Sequence, residues 1–444
     1  MRAPSQHRPP HAYPVALVNV RLIDPASRLD RKGGVLIADG VIADLGAHIA
    51  AGNVGDAEII DCGGRVLAPG LIDMMVFAGE PGLEHRETLA TASRAAAAGG
   101  VTTIICMPNT EPVIDDVALV DFILRRARDT ALINVHPMAA MTKGLLGTEM
   151  TEIGLLHEAG AIAFNNGKTS LADAKVMRNV LAYAKDFGAL IVHHLEDPTL
   201  APEGVMNEGE VATRLGLRGA PSAAETIMLE RDIRLVELTG GRYHAGQISA
   251  RASLDIVRAA KARGIPITCG VSINHLTLNE NDIGPYRTFF KMKPPLRSED
   301  DRRAMVEGVA SGDIDVIVSA HDPRGAEGKR RPFADAADGA VGLETLLGAA
   351  LRLYHNGEVE LNRLLQAMTA SPAALLGLDS GRIAKGAPAD LVLIDLATPW
   401  VVEPDALRSK SKNTPFDGAR LEGRPLLTFV AGRLVYNYAD QLQP

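Results

Sequence analysis

The apolar positions of the chain follow two different periods. Over residues 15–67 they read as short strands. ALVNVRLID alternates apolar and polar positions, and VLIADGVIADLG predicts a hairpin turning at Asp39-Gly40. The same pattern returns over 380–440, where ADLVLIDL predicts a strand and LLTFVAGRLVYN a hairpin around Ala431-Gly432. The two ends of the chain therefore predict halves of one small β domain. Between them, apolar strand-like segments fall at 70–77, 101–107, 131–137, 160–164, 189–194, 242–248, 265–271 and 314–319. Most are separated by helical patterns such as HRETLATASRAAAA, LADAKVMRNVLAYAKDF and SLDIVRAAKAR, with Gly99, Gly188 and Gly264 placed as helix ends. Eight strands alternating with helices over about 250 residues is the pattern of an α/β protein, a (β/α)8 barrel. The barrel is expected over 68–375, the β domain over 15–67 and 376–440, and a proline-bearing disordered tail over 1–14.

Composition narrows the classes. The 444 residues carry 46 basic and 54 acidic side chains, a net charge of −8 with histidine neutral. That balance argues against nucleic acid as a partner. Hydrophobic residues make up 46% and no apolar run approaches the roughly 18–20 residues of a membrane span, so no membrane role is expected. Aromatics are only 4%, with Trp400 the single tryptophan, which disfavours a stacking surface for sugars or bases. Cys62, Cys106 and Cys269 are widely spaced, odd in number and without a CxxC pair. They read as reduced, buried thiols of a cytoplasmic protein. The N-terminal MRAPSQHRPPHAYP has no apolar core of a secretory signal, and its His7 and His11 are not expected to hold a metal.

The active site of such a barrel lies at the C-terminal ends of its strands. There the first strand ends Met74-Met75-Val76-Phe77 and the second leads to Met107-Pro108-Asn109-Thr110. The fourth ends Asn165-Asn166-Gly167-Lys168, and the fifth His193-His194-Leu195-Glu196-Asp197. The sixth carries His244 and Gln247, the seventh leads to Asn274-His275, and the eighth ends Ser319-Ala320-His321-Asp322. A hydrolytic metal site needs about three or more histidine or carboxylate ligands and an open position for water. A rim of thioether, phenyl, amide and methyl groups is poor for a hard divalent cation.

LAPGLIDMMVFAGEPG closely resembles the opening of dihydroorotases and their relatives in the amidohydrolase superfamily, whose form there is PGLID-x-H-x-H-x-R-E-P-G. CMPNTEP, AMTKGLLG, HLEDP, NEGEVATRLGL, INHLTL, KMKPPLRSEDDR, DGAVGLETLL and SKSKNTPFDG extend the resemblance in order from about residue 15 to 437. It implies a TIM barrel with a small β-sandwich domain built from both termini. It also implies pyrimidine biosynthesis, where dihydroorotase closes carbamoyl aspartate to dihydroorotate.

The departures from the family form fall on the chemistry. Met75 and Phe77 stand where the His-x-His metal ligands are expected, and Gly79 where the substrate-gripping arginine is. Asn165-Asn166 replace the acidic pair of the fourth-strand loop, Gln247 the sixth-strand histidine, Ala320 the catalytic aspartate and Lys293 a substrate-contacting asparagine. Among the metal-facing positions His194 alone matches. Asn109 and His321 match positions expected at the substrate carboxylate, and Asn274 belongs with them as a remnant of the substrate pocket. With five ligands replaced, no zinc or other cofactor is expected, and without a carboxylate at 320 nothing obvious moves the proton of an attacking water. The resemblance with these departures implies a non-catalytic homologue that partners aspartate transcarbamoylase, as a homo-oligomer or hetero-oligomer. The competing expectation is a divergent cyclic amidohydrolase with a site rebuilt from His193, His194, Glu196, His244, His275, His321 and Asp322. Of the first two, alternation along the strand lets only one face the barrel centre.

The remaining features read more simply. Lys168 is expected as a solvated loop residue or a partner of Asp173, and Asp322 as a cap or a partner of Arg324. Met74, Met75 and Phe77 read as apolar filler. Gly328–Pro332 (GKRRP) and Arg408–Lys412 (RSKSK) read as solvated loops, the first also as a candidate partner contact because it follows the eighth strand. APEGVMNEGEVATRLGLRG (201–219) reads as a long loop near the barrel mouth.

Overall fold

The computed structural model describes residues 14–200 and 202–441. The predicted tail, Pro14 apart, and with it His7 and His11, lies outside the described residues. Eight parallel strands form the barrel in chain order: Leu71–Val76, Val101–Cys106, Asn134–Ala140, Ala163–Asn165, Leu190–His193, Arg242–Ala245, Ile267–Ser272 and Val316–Val318. The ring closes between the eighth and first strands. Val76 bridges His321, Phe77 N donates to His321 O at 2.8 Å, and the buried Asp73 carboxylate accepts from Ser319 N at 3.2 Å.

Several helices start where short polar side chains satisfy free backbone N–H groups. Thr88 caps Leu89–Ala98, Asp116 caps Val117–Thr130, Asp173 caps Ala174–Asp186 and Ser298 caps Glu299–Ser311. Gly188 and Gly264 take the left-handed conformation as predicted, at φ +63° and +77°. After the first helix that role passes to Gly100 (φ +78°), whereas Gly99 lacks a Cβ for a different reason: the carbonyl oxygen of Leu343 lies where a Cβ would meet it at 2.0 Å.

Several strand bounds differ from the expected ones; the sixth strand, for one, ends at Ala245 instead of 248. The third strand begins at Asn134 instead of 131, and the fourth at Ala163 instead of 160. Ala131, Ile133 and Ala161 are buried under the preceding helices before the chain joins a ladder, so they are apolar without being paired. Inside the barrel, Ile72, Met74, Met75, Ile105, Met107, Met138, Leu190, Val192, Val316 and Val318 form one apolar cluster with Ala373 and Leu376. Those last two lie on the helix Ala370–Leu376, which covers the N-terminal end of the barrel: Arg242, first residue of the sixth strand, donates to Leu375 O at 2.5 Å.

Strands from both chain ends join a second sheet. In its hydrogen-bonded order Arg433–Asn437, Arg420–Val430 and Leu391–Val401 lead to Val66–Pro69, Val15–Asp24, Leu29–Ala38 and Val41–Gly46, with Glu58–Asp61 pairing Val15–Asp24. Both predicted hairpin turns are present, with consecutive positive φ at Asp39-Gly40 (+51°, +79°) and Ala431-Gly432 (+46°, +73°). They are clamped together through Ala389, whose N–H donates to Gly40 O and whose O accepts from Gly432 N, both at 3.0 Å. Asp390 carries the link into the barrel, accepting from Ala431 N at 2.7 Å and from Asn134 Nδ2 at 2.9 Å.

The three cysteines are buried and free, and burial pushes each thiol up to about 12. Among the described residues no helix is long and apolar enough to cross a membrane.

The solvated-loop reading of the basic clusters holds only in part: Arg330, Arg331 and Lys410 are exposed, but other residues are not. Ser409 and Ser411 are buried, because Glu87 accepts from Lys410 N (3.0 Å) and from the Ser409 hydroxyl while Glu344 accepts from Arg408 N (2.6 Å). Segment 408–413 is thus a strap docked across the loops that follow the first and eighth strands. Lys329 is buried as well, and its ammonium donates to the carbonyls of Thr288 and Lys291.

Candidate functional site

At the C-terminal ends of the strands lies a cleft of about 590 Å³, open mouth included. Its floor is apolar: Met75, Phe77, Met107, Met292 and Ala320 all line it. Met75 lies beside the sixth strand, where Gln247 Nε2 approaches its Sδ at 3.5 Å. The Phe77 ring is covered by the Arg86 guanidinium, 4.0 Å from its centroid. Ala320 sits in the left-handed region at φ +51°.

The asparagine pair does not face the cleft, contrary to the position expected of it. Asn165 is fully buried, donating to Val192 O (2.7 Å) and accepting from Gly167 N (2.5 Å). Asn166 accepts from the Thr142 hydroxyl (2.9 Å) and donates to Leu145 O (3.2 Å). Uncharged amides can be satisfied by backbone groups and a hydroxyl, so both turn into the wall between neighbouring strands.

The polar lining comes from Asn109, His194, Asn274, His275 and His321. In each a buried atom has no hydrogen-bond partner: Asn109 Oδ1, His194 Nε2, Asn274 Oδ1, His275 Nδ1 and His321 Nε2. His194 Nε2 lies 3.5 Å from Glu196 Oε2, and His321 Nε2 lies 3.4 Å from Glu87 Oε2. Burial holds His194 below the usual histidine range and takes His275 down to about 4. His193 faces away from the cleft, as strand alternation requires. Its Nε2 accepts from Leu171 N (2.9 Å) and its Nδ1 meets Asp232 Oδ2 (2.6 Å), which Tyr243 also reaches. His244 also lies outside the cleft lining, its Nδ1 2.8 Å from Thr268 Oγ1, and burial takes it down to about 3.

One side of the mouth is a network of charges. Asp322 meets Arg86 at 2.7 Å, Lys168 at 2.5 Å and Arg324 at 2.9 Å, and Lys168 meets Asp338 at 2.6 Å. Lys168 is therefore half-buried and paired with Asp322 and Asp338, not with Asp173, which caps a helix instead. Burial opposes charge on Lys168, but Asp322 and Asp338 overcome it and hold the ammonium above its usual range. Burial likewise works against the Asp322 carboxylate, and Lys168, Arg324 and Arg86 hold it below the usual range. Lys293, on the other side, pairs with Glu196 at 3.0 Å.

Residues 64–253 match the family described as dihydro-orotase-like, and residues 317–436 match the amidohydrolase family. A dihydroorotase of Citrifermentans bemidjiense is 45% identical over 416 residues, 94% of this chain and 98% of that protein. The chain belongs to the dihydroorotase family. A second relative in it, the dihydroorotase of Anaplasma phagocytophilum, is 42% identical over 96% of this chain and 95% of its own. The fold agrees with that membership. The L-hydantoinase (dihydropyrimidinase) of Arthrobacter aurescens superposes with a TM-score of 0.87 at 26% identity, covering 96% of both chains.

The metal site that this resemblance implies does not fit these residues. Zinc takes imidazole, thiolate or carboxylate ligands. The expected positions present a thioether, a phenyl ring, two satisfied amides turned into the wall, a carboxamide against sulfur and a methyl. His194 remains alone among them. Among the described residues no group of three or more His, Cys, Asp or Glu is arranged to hold a metal ion.

Reading the strand ends missed Arg86, Glu87 and Asp338. All three lie in loops, and their partners at the mouth are far away in the chain. The available signal was charge itself, since a carboxylate beside a strand-end loop of a barrel needs a cation near it when buried.

Proposed function

We propose that this chain is a dihydroorotase homologue of pyrimidine biosynthesis that has lost hydrolysis and acts as a non-catalytic assembly partner of aspartate transcarbamoylase. The observation that carries this reading is the Met75–Gln247 contact. Two positions expected to ligate metal, one on the first strand and one just after the sixth, contact each other instead. Hydrolysis of a cyclic amide needs an activated water and a group that takes its proton and delivers it to the leaving nitrogen. Ala320 supplies no such group, and His321, next to it, is committed to backbone: its Nδ1 accepts from Gly342 N at 3.2 Å. Asp322 is bound by three cations and cannot serve as a free base. A folded barrel without chemistry still offers a rigid surface for assembly, and membership of the dihydroorotase family is what supports looking for its partner in the preceding enzyme, aspartate transcarbamoylase.

Two measurements test this. Protein purified without chelator is expected to contain no stoichiometric zinc and to show no interconversion of carbamoyl aspartate and dihydroorotate above background. Bound zinc with turnover would instead establish a rebuilt enzyme. Co-expressed aspartate transcarbamoylase is expected to co-elute with the chain on size exclusion at physiological salt. Separate elution at working concentration removes the partner role.

A further inference from the structure

The cleft has kept a polar lining while losing its free charge. Four cations stand at or beside its mouth, Arg86, Lys168, Lys293 and Arg324, and three carboxylates pair with them, Glu196, Asp322 and Asp338, while Glu87 faces His321. The two lysines that line the cleft are both paired, Lys168 with Asp322 and Asp338, Lys293 with Glu196. A carboxylate entering here would have to displace a built-in carboxylate from its lysine and lie beside Asp322, which itself lines the cleft.

What the lining leaves open is mainly acceptor capacity, since the His321 Nε2 donor, set by Nδ1 accepting from Gly342 N, points at Glu87 3.4 Å away. Asn274 and His275 are almost fully buried, at 2% and 3% exposure, and each has an unpartnered atom. His275 Nε2 lies 3.1 Å from Pro295 O, so it carries the proton and Nδ1 is left as a bare lone pair. Burial keeps that ring neutral. Asn109 and Asn274 each present a carbonyl oxygen without a donor. Gly167, at φ +65°, lets the fourth-strand loop close on Asn109, since a Cβ there would meet Asn109 Cβ at 2.8 Å. Buried acceptors cost free energy until a donor reaches them, and a ligand that supplies the donors recovers it. The apolar floor of Met75, Phe77 and Met107 suits a small flat ring lying across it.

We infer that the cleft binds a small uncharged ligand rich in N–H donors, an amide or cyclic ureide, and discriminates against carboxylates. This deepens the non-catalytic reading above and rests on it only in treating the cleft as free of metal.

The experiment is calorimetric titration of the full chain with two probes that differ by one carboxylate, dihydrouracil and dihydroorotate, with turnover followed in the same samples. Dihydrouracil is expected to bind, and dihydroorotate to bind at least about tenfold more weakly. Asn274→Ala is expected to weaken dihydrouracil while the thermal midpoint confirms a folded chain. Glu196→Gln, which frees Lys293, is expected to strengthen dihydroorotate and narrow the difference. Dihydroorotate binding as tightly as dihydrouracil overturns the inference. So does the absence of binding by either probe at millimolar concentration, or a Glu196→Gln variant with unchanged preference. Turnover of either probe would overturn the non-catalytic reading while leaving the measured preference to judge the inference by itself.

Discussion

Gln247 Nε2 lies 3.5 Å from Met75 Sδ, joining the first barrel strand to the segment that follows the sixth. A thioether is a weak acceptor but a large, adaptable filler. It occupies the space at the barrel centre that a charged cluster would otherwise need. Gly246 lies against the same sulfur, which a Cβ there would meet at 3.4 Å.

Replacing that filler should therefore be costly. Met75→Ala is expected to lower stability by about 2 kcal/mol or more, through a cavity and an unpartnered Gln247 amide. Met75→Leu should cost less than about 1.5 kcal/mol, since it keeps the volume. Urea denaturation with a common slope distinguishes the two.

Restoring one carboxylate should not restore chemistry. Ala320→Asp places an aspartate where the backbone is left-handed, a region aspartate enters more readily than alanine. The variant is expected to fold with an unchanged or slightly higher thermal midpoint. Its zinc content and its turnover of dihydroorotate should stay at background, because Met75, Phe77 and Gln247 supply no ligands.

Asp322 is the hub of the mouth network. Asp322→Asn would leave Arg86, Lys168 and Arg324 with only Asp338 between them, and is expected to cost about 3 kcal/mol at pH 7. The folded-state carboxyl is held below its unfolded value, so its contribution is present above about pH 4 and lost as pH falls through the folded value. The difference in stability between wild type and variant should therefore shrink on the acid side, as chemical denaturation at several pH values would show.

Asp73 behaves in the opposite sense. Burial pushes its carboxyl up to about 6, against hydrogen bonds from Met75 N and Ser319 N. Between about pH 4 and 6 the folded state binds the proton that the unfolded state has released, so this group's contribution falls as pH rises through that window. Asp73→Asn should remove that component: the stability of wild type relative to the variant is expected to decline from pH 4 to 6 and then level off. A flat difference across the window would show that Asp73 is not titrating there.

The alternation of apolar segments was enough to anticipate an eight-stranded barrel, and the turns at Asp39-Gly40 and Ala431-Gly432 were readable from two residues each. These properties are local. A strand's period, a cap or a positive φ depends on a few neighbouring residues and survives whatever the rest of the chain does. The side chains at 75, 77, 247 and 320, on which the expectation of a missing metal rests, were equally plain, because side-chain identity needs no coordinates.

Partnerships across the barrel were not readable. Arg86 and Asp322 are 236 positions apart, Lys168 and Asp338 170, and Met75 and Gln247 172. Which cation meets which carboxylate depends on how eight strands close, how the strap over 408–413 docks and which way a buried amide turns. Asn165 and Asn166 illustrate the limit: their place at a strand end is written in the chain, while their turn into the wall follows from backbone groups that only the closed barrel brings beside them. Composition and periodicity thus specify the scaffold and the groups it lacks, and long-range closure selects which of the remaining charges neutralise one another and which acceptors stay open in the cleft.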